Sequence, residues 1–312
     1  MKIVFMGTPD YAVKTLEALV NAGHEVAAVF AQPDKPVGRK HILTAPPVKQ
    51  CAEGLNIPVY QPNTLRDGES AELLRQIAPD AIVVVAYGKL LPKEILEIPK
   101  YGCVNGHASL LPKYRGASPI QWCIVCGEKQ TGVTTMLMDE GMDTGDILKT
   151  VTVDIGEDET AEELFERLSD ISASLMTETL DGLEKGIIKP VKQPETGVSY
   201  APIIKKEMAL IDFSKTAEEI RNAVRGYYSW PCAYFFLQGR RIKVISAFVA
   251  EACREAPGTV IKSSEELVIA CGGNTSVRLE IIQPEGSKPM TAAQFLCGNA
   301  VEKGISVDNS NG

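Results

Sequence analysis

Short apolar runs alternate with amphipathic stretches through the first part of the chain. Residues 2–6 form an apolar run that ends at Gly7, and residues 9–21 then carry apolar side chains at the spacing of one helix face. Residues 81–86 contain no polar position, which is typical of a strand covered on both faces. Similar runs predict strands at 25–31, 57–60 and 103–108. This alternation predicts an α/β domain with a mostly parallel sheet and helices on both sides.

The pattern changes after a long acidic amphipathic stretch at residues 160–186. Thr160 and Glu163 have the spacing of a capping box, which predicts that a helix begins there. Prolines and glycines then interrupt residues 187–202, which predicts a linker. One helical pattern at 216–226 follows, and short apolar runs separated by turn residues predict a small β-barrel. Those runs lie at 233–237, 241–249, 258–261, 267–270 and 277–282.

Charge changes this picture locally. The net charge of −8 argues against a nucleic-acid partner. However, residues 201–312 carry 13 Lys and Arg against 12 Asp and Glu, whereas residues 1–200 carry 19 against 28. Residues 32–45 predict an exposed loop, and from Lys35 to Cys51 there are four basic residues and no acid. This patch favours contact with phosphates, and a solvated loop is the alternative.

Composition indicates a globular protein, with 45% apolar and 23% charged residues. No stretch approaches the ~18 apolar residues of a membrane span, so we expect a cytoplasmic protein without a membrane partner. Cys123 and Cys126 have C-x-x-C spacing. A zinc site would need a second pair or two nearby histidines, which the sequence lacks. We expect the pair on the buried side of a helix, and a redox dithiol is the alternative.

The strongest candidate site begins with Asn105 and His107. Two residues apart on a predicted strand, their side chains point to the same face, at the strand end where α/β proteins bind ligands. An amide donor and a group that titrates near neutral pH suit acyl transfer. Asp143, in a turn rich in Gly and Asp, could hold the ring of His107. The alternative is ordinary turn chemistry and satisfied polar side chains.

Several enzyme classes lose support because their motifs are absent. Gly7-Thr-Pro-Asp lacks the G-x-G-x-x-G pattern of dinucleotide sites, and there is no G-x-x-x-x-G-K-[ST] loop. A G-x-S-x-G nucleophile elbow is also missing. Dehydrogenases, P-loop kinases and serine hydrolases are therefore disfavoured.

The spacing of the candidate site resembles that of a known family. Asn105-x-His107 is followed by Ser109-Leu-Leu-Pro112, and Asp143 lies 36 residues after His107. This combination resembles the folate-dependent formyltransferases. The resemblance implies a Rossmann-like catalytic domain at 1–188, a linker at 189–206 and a smaller OB-like barrel at 207–312 that binds tRNA.

Within this family, the chain is most similar to the enzymes that act on methionyl-tRNA. Residues 32–39 and 45–49 resemble their basic loop, and residues 86–92 resemble the wall of their folate pocket. The implied reaction is transfer of the formyl group of 10-formyltetrahydrofolate to the α-amine of methionyl-initiator tRNA. It implies a folate co-substrate and no metal, and we expect a monomer.

The resemblance also implies roles for individual residues. Asn105 and His107 would stabilise the oxyanion, and Asp143 would orient His107. The implied folate-binding residues are Gly88, Lys89, Leu90, Leu91, Ser109, Leu110, Leu111 and Pro112. The implied tRNA-binding residues are Lys35, Arg39 and Lys40.

Two departures and three alternatives accompany this interpretation. Gly106 stands where the family has a branched aliphatic residue, so we expect a cavity and a looser strand that cost about 1–3 kcal/mol. Cys232 replaces a usual glycine, which predicts strain if the backbone there needs a positive φ.

The alternatives are a sugar-nucleotide N-formyltransferase, a hydrolase with the same trio, and a non-catalytic folate- or RNA-binding module.

Overall fold

The computed structural model describes residues 1–38 and 41–307, which divide into two compact units. The first unit comprises Met1–Pro119, Gln130–Asp154 and Phe165–Pro202. The second comprises Ile120–Lys129, Ile155–Leu164 and the described residues of Ile203–Gly312. The domain limits at residues 188 and 206 stay a prediction.

A seven-stranded sheet forms the centre of the first unit. Its strand order is β10-β9-β7-β6-β1-β2-β5, and the four pairings among β7, β6, β1, β2 and β5 are parallel. Strands β9 and β10 continue the sheet in antiparallel pairing. The predicted mostly parallel α/β sheet is confirmed. The strands are β1 (Lys2–Gly7), β2 (Glu25–Phe30), β5 (Val59–Tyr60), β6 (Ala81–Val85), β7 (Cys103–His107), β9 (Gln130–Leu137) and β10 (Ile147–Asp154).

Burial explains why these segments become central strands. All five residues of β6 and all five of β7 are buried, so each strand is covered on both faces. Each fully buried Val or Ile side chain contributes about 1.5–3 kcal/mol relative to exposure. The carboxyl ends of β1, β2, β6 and β7 therefore lie along one well-supported edge, where parallel sheets form their sites.

Six helices begin within the described part of the first 165 residues, and the first and the last of them start where the sequence predicts. Pro9 lies immediately before the first helix, whose apolar face is buried. Thr160 and Glu163 form the expected capping box, because each accepts a hydrogen bond from the other's backbone N–H. The helices are α1 (Asp10–Asn21), α2 (Pro47–Gly54), α3 (Glu69–Ile77), α4 (Lys93–Leu96), α5 (Pro119–Val125) and α6 (Ala161–Glu184).

Two parts of the first unit differ from the sequence-based expectation. The predicted exposed loop at 32–45 contains a hairpin of β3 (Lys35–Val37) and β4 (Ile42–Thr44), whose described side chains are exposed. The predicted linker contributes β11 (Tyr200–Ala201), which pairs in parallel with β8 (Arg115–Gly116). The sequence did not predict these two strand pairs, because strands of two or three residues that contain proline, glycine or polar residues show no apolar alternation.

The second unit is built on an antiparallel sheet of six strands, ordered β12-β13-β16-β15-β14 with β17 beside β16. Breaks in register along β13 curl the sheet into a half-barrel, which agrees with the predicted OB-like fold. The helix α7 (Ala217–Gly226) packs on it, capped by Thr216. The remaining elements are β12 (Tyr234–Leu237), β13 (Arg240–Val249), β14 (Val260–Ser263), β15 (Leu267–Cys271), β16 (Thr275–Pro284), β17 (Met290–Thr291) and α8 (Ala292–Gly298).

The structure corrects the expectation for Gly106. A Cβ at this position would lie 3.0 Å from Oγ of Ser172 and 3.3 Å from Cε of Met176. Both side chains belong to α6 and are fully buried. The expected cavity is therefore wrong, because the helix already fills the space that a branched residue would take.

The cysteine expectations have mixed outcomes. Cys123 is buried and its thiol donates to the carbonyl of Ile120, as expected for the inner side of a helix. Cys126 is exposed, so the expectation is wrong for that residue. Cys232 has φ +69°, the condition under which its Cβ was predicted to strain the backbone.

Candidate active site

Strand β7 brings Asn105 and His107 to the carboxyl edge of the sheet. Their exposed fractions are 9% and 6%, so both side chains are largely shielded from water. On the neighbouring parallel strand, Val84 is the partner of Asn105, and the segment that follows β6 begins beside this pair. The two residues thus occupy the position that the strand alternation predicted.

The two nitrogens of the His107 ring have different neighbours. Nε2 lies 2.9 Å from the carbonyl oxygen of Tyr114. A carbonyl oxygen only accepts, so Nε2 carries a proton and donates it. Nδ1 lies 3.7 Å from Oδ2 of Asp143. The nitrogen that can gain or lose a proton during a reaction is therefore Nδ1, on the side of the carboxylate.

Asp143 contacts both other members of the predicted trio. Its Oδ1 accepts a hydrogen bond of 3.4 Å from Nδ2 of Asn105. Its Oδ2, next to His107, also accepts a 2.8 Å hydrogen bond from the backbone N–H of Gly116. A Cβ on Gly116 would lie 2.8 Å from the carbonyl oxygen of Ala201, so only glycine permits the close pairing of these two residues. The structure brings the three predicted catalytic residues together.

The segment Ser109–Pro112 forms a buried turn immediately after β7. The Ser109 hydroxyl donates to the carbonyl of Lys113 at 2.7 Å, so it holds the turn. Thr134 on β9 supports the same turn, since its hydroxyl donates to the carbonyl of Ser109 and accepts from the N–H of Leu111. Thr134 was not predicted from the sequence, where an isolated threonine in a strand carries no distinguishing signal.

The second predicted folate segment, Gly88–Leu91, follows β6 along the same edge. Leu90 is 56% exposed and Leu91 is buried. The Lys89 ammonium group donates to the carbonyls of Pro62 and Asn63, and burial lowers its pKa. Its ammonium group therefore ties this segment to a neighbouring loop.

A cleft of about 300 Å³ borders this segment. Leu90, Leu91 and Pro92 supply apolar surface, and Arg66 and Lys93 supply positive charge. Glu140, three residues before Asp143, lines the same cleft. Glu94 lines it too, so the cleft offers apolar surface and groups of both charges next to the loop that holds Asp143.

The basic segment is only partly as predicted. Lys35 is exposed on β3. Arg39 and Lys40, the other two predicted tRNA-binding residues, lie outside the described residues. Lys49 is paired with Asp34, whose two carboxylate oxygens both lie 3.0 Å from its ammonium group. The basic patch is thus smaller than the sequence indicated.

Residues of the predicted linker also reach the site. The side chain of Gln193 donates to the carbonyls of Asp143 and Gly145, each at 2.8 Å. Its own carbonyl oxygen accepts from the guanidinium group of Arg115. No local pattern in the sequence marks this glutamine, because its partners lie about 50 and 80 residues earlier in the chain.

Within residues 1–38 and 41–307, no group of three or more His, Cys, Asp or Glu side chains is placed to hold a metal ion. In the same part of the chain, no helix combines the length and the apolar character that crossing a bilayer requires.

Comparison with known proteins adds two family matches. A family model described as "Formyl transferase" matches residues 1–180. A second model, described as "Formyl transferase, C-terminal domain", matches residues 203–300. The first match contains Asn105, His107 and Asp143, and the second covers all six strands of the antiparallel sheet.

Individual proteins are similar over most of the chain. "Methionyl-tRNA formyltransferase" of Thermodesulfovibrio yellowstonii is 48% identical over 304 residues, which cover 97% of each chain. The solved "Methionyl-tRNA formyltransferase from Clostridium thermocellum" has a TM-score of 0.56 at 24% identity, covering 80% of this chain and 93% of that one. An N-formyltransferase from Helicobacter canadensis, solved with folinic acid and dTDP-3-aminofucose, has a TM-score of 0.68 at 22% identity, covering 89% and 98%. The two structural likenesses show a shared fold.

Proposed function

The chain belongs to the formyl transferase family, and we propose that it transfers the formyl group of 10-formyltetrahydrofolate to the α-amine of methionyl-initiator tRNA. One observation carries the proposal. Asn105, His107 and Asp143 meet at the carboxyl edge of the sheet, in a chain 48% identical over nearly its whole length to a methionyl-tRNA formyltransferase. The enzyme is thus a one-carbon transferase of translation initiation.

The site suits a folate co-substrate. The cleft beside Leu90 and Leu91 offers apolar surface for a ring system. Of its charged lining residues, Arg66 and Lys93 would meet the folate carboxylates, while Glu94 and Glu140 carry the opposite charge. The backbone of the Ser109–Pro112 turn would complete the pocket wall. The folate supplies an activated formyl group on its N10 nitrogen.

Asn105 and His107 stabilise the developing negative charge in this mechanism. The methionyl amine forms the new C–N bond, and the bond from the formyl carbon to N10 breaks. Asn105 Nδ2 donates to the formyl oxygen as charge develops there, and a protonated His107 adds positive charge nearby. Both groups are held in a shielded site, where such interactions are stronger than in water.

Asp143 balances and relays charge in the same mechanism. Nε2 of His107 keeps its proton on the carbonyl of Tyr114, so in the protonated ring Nδ1 gives its proton to N10 as that bond breaks and then recovers the proton that the amine loses. The carboxylate of Asp143 faces Nδ1 and neutralises the ring when it is charged. Nε2 thus holds the ring in place by donating to Tyr114, while Nδ1 carries out the proton transfer.

The second unit and the β3–β4 hairpin supply the tRNA contacts in this proposal. Residues 201–312 are richer in basic side chains, relative to acidic ones, than the rest of the chain. Lys35, Arg39 and Lys40 would contact the acceptor end. We assign the catalytic domain to 1–188, the linker to 189–206 and the tRNA-binding domain to 207–312. Because Asn105, His107 and Asp143 meet within a single chain, we also propose that the protein acts as a monomer, and we propose the cytoplasm as its location.

The experiment that tests this proposal compares three amines. Purified protein is given 10-formyltetrahydrofolate labelled on the formyl carbon, with methionyl-initiator tRNA, methionyl-elongator tRNA or a dTDP-linked amino sugar. Label in the initiator tRNA is the expected result. Label in the amino sugar alone would support a sugar-nucleotide formyltransferase, and release of formate alone would support a hydrolase.

A further inference from the structure

Residues 191–201, here called the strap, run beside the loops that carry the catalytic residues. Val191 exchanges two backbone hydrogen bonds with Ile147, next to the Asp143 loop. At its other end, Tyr200 and Ala201 pair with Arg115 and Gly116. The strap therefore bridges the two segments between which Asp143 and His107 meet.

Burial along the strap singles out two polar residues. Between residues 189 and 200, every side chain is exposed except those of Gln193 and Ser199, which are half-buried. Ser199 Oγ accepts a 2.9 Å hydrogen bond from the backbone N–H of Tyr114, whose carbonyl oxygen binds Nε2 of His107. Gln193 Nε2 donates to the carbonyl of Asp143 itself.

The two residues that the strap holds have unfavourable backbone conformations. Tyr114 has φ +59° and Asp143 has φ +54°, in the left-handed region that non-glycine residues rarely adopt. Such conformations are strained and persist when surrounding contacts enforce them. The hydrogen bonds from Gln193 and to Ser199 act on these two residues.

We infer that Gln193 is a positioning residue, which clamps the backbone of Asp143 so that its carboxylate faces His107. The inference rests on the proposed function for its kinetic consequences. Arg115 fixes the orientation of the amide, because its guanidinium group donates at 2.7 Å to the carbonyl oxygen of Gln193. The amide nitrogen is thereby directed at the carbonyls of Asp143 and Gly145. Gln193 contacts no reacting atom and acts through Asp143.

The variant that isolates this role is Gln193→Glu. The carboxylate keeps the shape of the side chain and the acceptor for Arg115, but it can no longer donate to the two carbonyls. A displacement of about 1 Å in a reacting group can lower the rate about 100-fold. We expect kcat to fall by about 10- to 100-fold, with both KM values and the folate Kd within about twofold of wild type. Thr196→Glu, which adds the same charge to an exposed strap residue, is expected to match wild type.

The outcomes separate the clamp from a general structural role. A kcat within twofold of wild type in Gln193→Glu would overturn the inference, as would a loss that runs parallel to a loss of folate affinity. If wild type fails to formylate methionyl-tRNA, the proposed function fails by itself. Hydrogen exchange of amides 138–146 then still tests the clamp. Exchange about tenfold faster in Gln193→Glu than in wild type is expected, from the loss of two hydrogen bonds, and unchanged exchange overturns the inference.

Discussion

Oδ2 of Asp143 lies 3.7 Å from Nδ1 of His107, while Nε2 of the same ring donates to a backbone carbonyl. The ring is therefore fixed at one nitrogen and available for proton transfer at the other. The same carboxylate oxygen accepts from the N–H of Gly116, which holds it beside the ring. This arrangement leads directly to a prediction for the carboxylate.

Asp143→Asn should lower kcat by about 100- to 1,000-fold, because the change removes the charge that balances His107 but keeps an acceptor for Gly116. The KM for both substrates should change little, since the shape of the side chain is conserved. Steady-state kinetics with methionyl-tRNA checks this. Asp146→Asn, in the same loop, is the control and should retain wild-type kcat. Equal activity in the two variants would exclude the proposed role of Asp143.

Gly106→Val should destabilise the protein by about 1–3 kcal/mol, although the family resemblance implied a branched residue at this position. The added atoms would meet Ser172 and Met176, which already fill the space. Urea unfolding measures the loss. Because Met176→Ala makes room, the double variant should be less destabilised than the sum of the two single changes. Strict additivity would show that the helix does not restrict this position.

Cys232→Gly should be more stable than Cys232→Ala by about 1 kcal/mol. Both changes remove the buried thiol, but only glycine relieves the Cβ strain at φ +69°. Comparing the two variants therefore separates backbone strain from lost burial, which a comparison with wild type would mix. Chemical unfolding of both proteins gives the difference. An alanine variant as stable as the glycine variant would argue against strain.

Lys35→Ala should weaken tRNA binding. It should also reduce the magnitude of the slope of log K for tRNA binding against log salt concentration by about one, as expected for the loss of one phosphate contact. Lys49→Ala should leave this slope unchanged, because Lys49 is paired with Asp34 and Gln61. Titrations of tRNA binding between low and moderate salt compare the two. A reduced slope in Lys49→Ala with none in Lys35→Ala would reverse the assignment of the hairpin.

The elements that could be predicted from the sequence are those specified by local patterns. The strand β6 has no polar position, and the start of α6 carries a capping box, so each could be located without knowing its neighbours. Asn105 and His107 were found because a two-residue spacing on a strand places two side chains on one face.

The features that were missed depend on residues far apart in the chain. Gln193 lies in a segment whose prolines and glycine indicate a linker, yet its partners are on Arg115 and the Asp143 loop. A cavity beside Gly106 was expected because the sequence does not show that α6 packs against this position. Lys49 is paired with Asp34, which lies one residue before the acid-free stretch. Counting the charges within that stretch therefore overestimated the basic patch.

Formylation of methionyl-initiator tRNA by wild type and by His107→Ala tests the central claim most directly. Both proteins receive labelled 10-formyltetrahydrofolate and charged initiator tRNA, and circular dichroism verifies that the variant is folded. The account predicts formyl-methionyl-tRNA with wild type and a rate lower by about 100- to 10,000-fold with His107→Ala. Equal rates in the two proteins would contradict the assignment of this site, and no product with wild type would contradict the proposed reaction.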